Sequence, residues 1–175
     1  MWTAQHGRPP AVIVVMGVAS SGKTSLGERL AAHLDWPFRD ADSFHPPANV
    51  AKMSSGQPLN DADRGPWLAA IAAWIDDLRS QGRHGIVTCS ALKRAYRRVI
   101  IGDRPDVALV YLRGSRELIG ARMAARQHHF MPPALLDSQF ATLEEPGPEE
   151  NPLVVSVELA KDAVTRTVLE RVGLG

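Results

Sequence analysis

The sequence predicts an α/β domain built on a parallel sheet with helices on both faces. Two observations lead to it. Five strand-like runs, Ala11–Met16, Pro37–Asp40, Gly85–Ser90, Val107–Leu112 and Leu153–Glu158, alternate with helical patterns along the chain. Parallel strands need such crossovers, whereas antiparallel hairpins do not. The first run also enters a glycine-bearing turn, Gly17-Val18-Ala19-Ser20-Ser21-Gly22-Lys23-Thr24, and then a helix. With 175 residues the chain is long enough for one domain with a proper core.

Each element has its own signal. Ala11–Met16 is continuously apolar, as a strand covered on both faces must be. Thr24–Leu34 places Leu26, Leu30 and Leu34 on one helical face. From Pro66 to Arg79, Trp67, Leu68, Ile71, Trp74, Ile75 and Leu78 recur at helical spacing, and Pro66 is expected in the first turn. The two tryptophans read as core. Further helices are expected over 93–101, 116–126, 133–142 and 161–172. Residues 1–10 read as a flexible polar arm, and 11–175 as the single domain.

Composition excludes some classes. Hydrophobic residues make up 45 % and charged residues 22 %, with a net charge of +1. A dedicated nucleic-acid binder would show a basic excess or stripe, and the cluster Arg94, Arg97 and Arg98 reads equally well as a solvated helix face. No apolar run reaches membrane-spanning length. The single cysteine, Cys89, cannot form an internal disulfide, so a cytoplasmic setting is expected. Cys89 reads as a small buried hydrophobe.

The turn after the first strand fits G-x-x-x-x-G-K-[ST] in the context that gives the pattern meaning. Gly17 and Gly22 let backbone N–H groups of Val18, Ala19, Ser20 and Ser21 turn inward onto phosphate oxygens. The helix that follows adds its positive end, with Ser25 in the first turn. Lys23 is expected to reach the β- and γ-phosphates of a nucleoside triphosphate and Thr24 to bind Mg²⁺. Ser20 stands at a position that needs positive φ, where a side chain is strained.

Asp40-Ala41-Asp42 follows the second strand, whose carboxyl end faces the same crevice. Alternation places Asp40 and Asp42 on one side. Asp40 can support Mg²⁺ through water and Asp42 can orient an attacking hydroxyl; a solvated, capped turn is the competing reading. Two long excursions interrupt the alternation, over 42–64 and 127–152, and segments of that length bind something or move. In a small phosphotransferase they form an acceptor-binding segment, about 42–82, and a water-excluding lid, about 127–138.

Phe44-His45-Pro46, Lys52-Met53 and Gly56-Gln57-Pro58-Leu59-Asn60-Asp61-Ala62-Asp63-Arg64-Gly65-Pro66-Trp67-Leu68 complete a recognisable order. With Cys89-Ser90-Ala91-Leu92-Lys93, Tyr96-Arg97, His129-Phe130-Met131-Pro132 and Ser138-Gln139-Phe140, they closely resemble the gluconokinases, the small thermoresistant type related to shikimate kinase. The resemblance runs from Val12 to the last helix. It implies a P-loop NTPase fold of the nucleoside monophosphate kinase type with a five-stranded parallel sheet. It further implies a homodimer and ATP-dependent phosphorylation of D-gluconate at its 6-hydroxyl, with the product feeding the pentose phosphate or Entner–Doudoroff routes. Two departures stand out: Ala19 and Ser20 replace Ser and Gly in the phosphate loop, and His128 replaces a frequent Gly.

Gluconate is an anionic polyol, so its site needs a cation and several hydrogen-bonding groups. Arg64 is the first choice for the carboxylate, because a guanidinium fits it bidentately; Lys93 and Arg97 are the second choices. His45, Lys52, Asn60 and Gln139 are candidates for the hydroxyls. Asp42 takes the catalytic place beside Lys23. Arg122 and Arg126, four apart on a helix leading into the lid, are expected to close over the phosphates; an ordinary surface helix face is the alternative.

Overall fold

The computed structural model describes residue 2, residues 6–125 and residues 133–175. Five strands form one sheet: β1 (Val12–Met16), β2 (Phe38–Asp40), β3 (Gly85–Thr88), β4 (Val107–Arg113) and β5 (Leu153–Ser156). Their order is β2-β3-β1-β4-β5, every pairing parallel. The helices are α1 (Lys23–Leu34), α2 (Pro47–Ser54), α3 (Asp61–Ser80), α4 (Arg94–Ile100), α5 (Arg116–Ala124), α6 (Pro133–Thr142) and α7 (Lys161–Val172). Short 3₁₀ turns occupy Ala41–Phe44 and Pro148–Glu150. Among the described residues, no helix is long and apolar enough to cross a membrane.

β1 runs through the middle and is wholly buried. Its alternate side chains serve two cores. Ile13 and Val15 meet Leu26 and Leu30 of α1, Ile119 of α5, Leu136 of α6 and Val164 and Val168 of α7. Val12, Val14 and Met16 meet Trp67, Leu68, Ile71 and Ile75 of α3 and Ile100 of α4. The continuous apolar run follows from this double covering. Because all strands point one way, their carboxyl ends meet at a single edge, where Gly17, Ala41 and Cys89 continue the chain.

Three expectations need correction. α3 begins at Asp61, five residues before Pro66, so Pro66 lies inside the helix. A capping box at Asn60 and Asp63 nucleates it earlier than the apolar periodicity shows: Asp63 N–H donates to Asn60 Oδ1 (2.8 Å) and Asn60 N–H to Asp63 Oδ2 (2.9 Å). The excursion over 42–64 contains α2, whose start is set by Pro47. The arm is also not frayed at Trp2, which is buried in the same core as Ile13 and Val15. Its indole donates to Arg8 O at 3.0 Å and its ring stacks on His6.

α1 lies close on the sheet because Gly27 has no side chain. A Cβ there would meet Phe38 Cε2 at 2.4 Å and Thr88 Cγ2 at 2.9 Å. Gly27→Ala is therefore expected to destabilise the fold by about 1–3 kcal/mol through overpacking, despite alanine's better helix propensity. Denaturant unfolding measures it; a stabilised variant would show that α1 can lift without loss.

Candidate active site

The phosphate loop is shaped by two backbone constraints. Gly17 has φ 156°, and a Cβ there would meet Ser21 Oγ at 2.5 Å and Leu112 O at 3.1 Å. Ser20 has φ 64°, the left-handed conformation that its position was expected to need. α1 then starts after Gly22 with no side-chain cap, so its first N–H groups face the cleft as an anion-binding end. Lys23 Nζ donates to Val18 O at 2.9 Å and closes the loop. Burial lowers this ammonium to about 8, while Cys89, Asp40 and Asp42 pull it back up. A charge that is short of water here favours an anion as its partner.

Asp40 and Asp42 lie at the end of β2, within electrostatic reach of Lys23. Asp40 Oδ1 accepts from Asp42 N–H at 2.9 Å, so the capped-turn reading also holds and fixes the two carboxyls relative to each other. Enclosure by the cleft walls pushes the Asp42 carboxyl up; Asp40 adds to this, and His45 and Lys23 oppose it. Its side chain is still 88 % exposed, so water reaches it and screens these charges. His45, with a side chain only 6 % exposed, puts Nε2 4.0 Å from Asp42 Oδ1 and stacks on Trp67, centroids 4.7 Å apart. Burial lowers His45 below the usual histidine value, helped by Arg64 and opposed by Asp42.

Arg64 and Lys93, two of the cations named for the substrate carboxylate, converge on Asp61. Asp61 Oδ1 lies 3.8 Å from Arg64 Nη1 and 3.5 Å from Lys93 Nζ, and accepts from Tyr96 at 2.6 Å. The Tyr96 hydrogen bond and the Lys93 charge hold the Asp61 carboxyl below the ordinary range. Asp61 and Tyr96 were not singled out from sequence, although both lie inside the matched motifs.

Other candidates have structural employment. Arg97 is 2 % exposed and does not line the cleft. Its Nε and Nη2 donate to Glu150 at 2.7 and 3.1 Å, and Nη1 donates to Ala91 O at 2.8 Å. Burial works to raise the Glu150 carboxyl, but Arg97 outweighs it and the net direction is down. The arginine thus ties down the loop after β3, where Ala91 has φ 45°. Asn60 gives its oxygen to the α3 cap, and Lys52 pairs with Asp63 at 2.6 Å. Gln139 Oε1 accepts from Ala19 N–H at 2.6 Å, which places it on the phosphate loop rather than among the acceptor groups; with Ser21 N–H donating to Val18 O at 3.2 Å, two of the loop N–H groups expected to meet phosphate are engaged within the protein. Arg126 and the segment 127–132 of the expected lid lie outside the described residues.

A cavity of about 380 Å³ opens beside the loop, lined by Ser20, Ser21, Gly22, Ser25 and Arg122 on the phosphate side. Its far wall is Val157, Leu159, Ala160 and Lys161, after β5. Apolar walls with a few polar groups suit a flat heterocyclic base. No sequence motif marked these wall residues. Their only signal was their place after a strand, on the edge where crevices form.

A capless helix end, a half-buried lysine and a carboxylate pair beside a base-sized cavity together define a phosphate-loop kinase of small molecules. The shikimate kinase family model matches residues 19–170. A gluconokinase from Gluconobacter oxydans (strain 621H) is 46 % identical over 165 residues, 94 % of this chain and 93 % of that one. The crystal structure of a gluconokinase from Sinorhizobium meliloti 1021 superposes with TM-score 0.82 at 43 % identity, covering 95 % of this chain and 93 % of that one. An unliganded sugar kinase from Janibacter sp. HTCC2649 gives TM-score 0.84 at 41 % identity, covering 95 % and 96 %. The chain belongs to the gluconokinases, within the shikimate kinase family.

Removing Arg97 strands a half-buried glutamate and frees a carbonyl. Arg97→Ala is expected to cost about 3–5 kcal/mol of stability, read by denaturant unfolding. A loss under about 1 kcal/mol, as for an exposed pair, would return Arg97 to the cleft.

Proposed function

We propose that the protein transfers the γ-phosphoryl group of ATP to the 6-hydroxyl of D-gluconate, giving 6-phospho-D-gluconate and ADP. The observation that supports this most is the grouping of Lys23, Asp40, Asp42 and His45 at the edge shared by β1 and β2, with Arg64 and Lys93 gathered nearby. It supplies a donor end, a hydroxyl-orienting end and paired cations for an anionic polyol.

In this reading the loop amides and Lys23 hold the β- and γ-phosphates, and the far cavity takes the base. Arg122 neutralises charge on the transferred group, and Arg126 is assigned to the same task. Asp42 accepts a hydrogen bond from the attacking hydroxyl and aligns it; His45 holds a neighbouring hydroxyl. Arg64 and Lys93 exchange Asp61 for the substrate carboxylate. Positioning and charge neutralisation carry most of the acceleration in such transfers. The donor set fits Mg²⁺: the Thr24 hydroxyl at the exposed start of α1 and the Asp40 carboxyl are hard oxygen ligands, few enough for an ion that keeps waters and phosphate oxygens. Bound there, Mg²⁺ would offset phosphate charge. A cytoplasmic homodimer and a product entering the pentose phosphate or Entner–Doudoroff routes belong to the same reading, supported by the resemblance alone.

ADP release from ATP with Mg²⁺, tested with gluconate, shikimate, AMP and no acceptor, checks the reaction. Gluconate alone is expected to stimulate it, and Asp42→Asn to lower kcat by about 10²–10⁴. Stimulation by another acceptor overturns the substrate; a kcat within a few-fold of wild type removes Asp42 from its role.

The depressed Lys23 ammonium sets a pH dependence. Below about 8 the lysine is already charged, so binding an anion takes up no proton. Above about 8 binding must restore the proton, so ATP affinity is expected to fall by up to about tenfold per pH unit. Calorimetric titration across that range measures it, with Lys23→Arg, which stays charged, as the flat control. A flat wild-type profile would mean that Lys23 does not meet the phosphates.

A further inference from the structure

Asn49 is a buried polar side chain, 5 % exposed, on α2, and no role for it follows from the motifs. Its Nδ2 donates to the backbone carbonyl of Asp63 at 2.8 Å and lies 3.3 Å from His45 Nδ1. A backbone carbonyl only accepts, so the nitrogen of the amide, not its oxygen, must face that side. The same nitrogen carries a second proton, and the His45 ring nitrogen is its neighbour. Two donors cannot share a hydrogen bond, so Nδ1 must offer a lone pair. In a neutral imidazole the proton then sits on Nε2.

We propose that Asn49 is a positioning residue of the acceptor site, holding His45 as the neutral tautomer with its proton on Nε2, directed toward Asp42. This deepens the gluconate reading and rests on it for the identity of the acceptor. The gap between Nε2 and Asp42 Oδ1 is 4.0 Å, too long for a direct hydrogen bond. A hydroxyl oxygen about 2.8 Å from each fits that gap, accepting from Nε2–H while donating to the carboxylate. Donor and acceptor side by side read a hydroxyl in a defined orientation. The Nδ1–H tautomer would face two acceptors toward the same hydroxyl.

The surroundings hold the ring in place. Trp67 of α3 stacks on it with an interplanar angle of 11°. The charged groups that act on His45 are Asp42 from the 3₁₀ turn and Arg64 from α3, while Asp40 and Lys23 act on Asp42. Protonating His45 would put a second N–H against the Asn49 amide, so the contact itself opposes the imidazolium. By holding Asp63 O as well, Asn49 fastens α2 to the first turn of α3, which carries Arg64.

The test is ¹⁵N NMR of the histidine rings in the full-length protein without substrate, with His45 identified by its loss in His45→Gln. The expected wild-type signature is a pyridine-like Nδ1 and a pyrrole-like Nε2. In Asn49→Asp a carboxylate meets Nδ1, and the signature is expected to move to Nδ1–H or to the imidazolium. The kcat/KM for the stimulating acceptor should then fall by about 10- to 100-fold, the range seen when a ring-orienting partner is lost at metal-bound histidines. If Asn49→Asp does not fold, Asn49→Ala is expected to give a mixture of tautomers instead. An Nδ1–H wild type, an unchanged tautomer in the variants, or a changed tautomer with undiminished kcat/KM each overturns the proposal. If shikimate or AMP, not gluconate, stimulates turnover, the substrate reading falls while the tautomer result stands.

Discussion

The constraint on which the rest depends is the burial of β1 between two helical layers. A parallel strand buried on both faces cannot shift without exposing one of them, so its carboxyl end is fixed. Gly17 begins at that end, and the path that follows is narrow: its own Cβ would strike Ser21 and Leu112. The loop has to turn, and the turn leaves the start of α1 uncapped. The anion site is thus a by-product of how the central strand joins its helix. β2 and β3, aligned alongside in parallel register, deliver Asp40 and the loop containing Ala91 to the same edge.

Much of this was legible in the residues. The glycine spacing with its flanking strand and helix marked the phosphate loop, but the alternation expected to put Asp40 and Asp42 on one side stops at Asp40: Asp42 lies in a 3₁₀ turn, and the Asp40 cap, not the pleat, sets the two carboxyls relative to each other. What escaped was competition among polar groups. Asn60, Lys52 and Arg97 have the chemistry of sugar-acid ligands, but the chain uses them to start α3, to pair with Asp63 and to anchor Glu150. Sequence shows which groups can bind a hydroxyl or carboxylate; only the fold shows which are already engaged. The Asn60–Asp63 spacing was a readable capping signal, overshadowed by the apolar stripe that starts at Trp67. The base-side wall at Val157 to Lys161 had no polar signature, and Asn49 none beyond being an ordinary helix residue.

The two sides of the cleft are electrostatically unlike. On the phosphate-loop side Lys23 is partly withdrawn from water, and Cys89, Asp40 and Asp42 oppose the resulting fall in its basicity. On the acceptor side Arg64 and Lys93 rest on an exposed carboxylate, Asp61. Exposed pairs of this kind contribute little stability, so replacing Asp61 with another carboxylate is a near-even exchange. A half-buried partner such as Glu150, held by a buried arginine, would not be given up so easily. The difference in burial separates the arginine suited to exchange partners, Arg64, from the one fixed in the framework, Arg97.

Cys89 sits at the end of β3, directly below this charged edge. Burial pushes its thiol up to about 12, even though Lys23 pulls the other way. Thiolates, not thiols, react with peroxide, disulfides and alkylating agents. The sole sulfhydryl of the chain is therefore chemically silent while the fold is intact. Loss of activity under oxidants would have to arise at other side chains or through unfolding, and modification of Cys89 would report that the sheet had already opened.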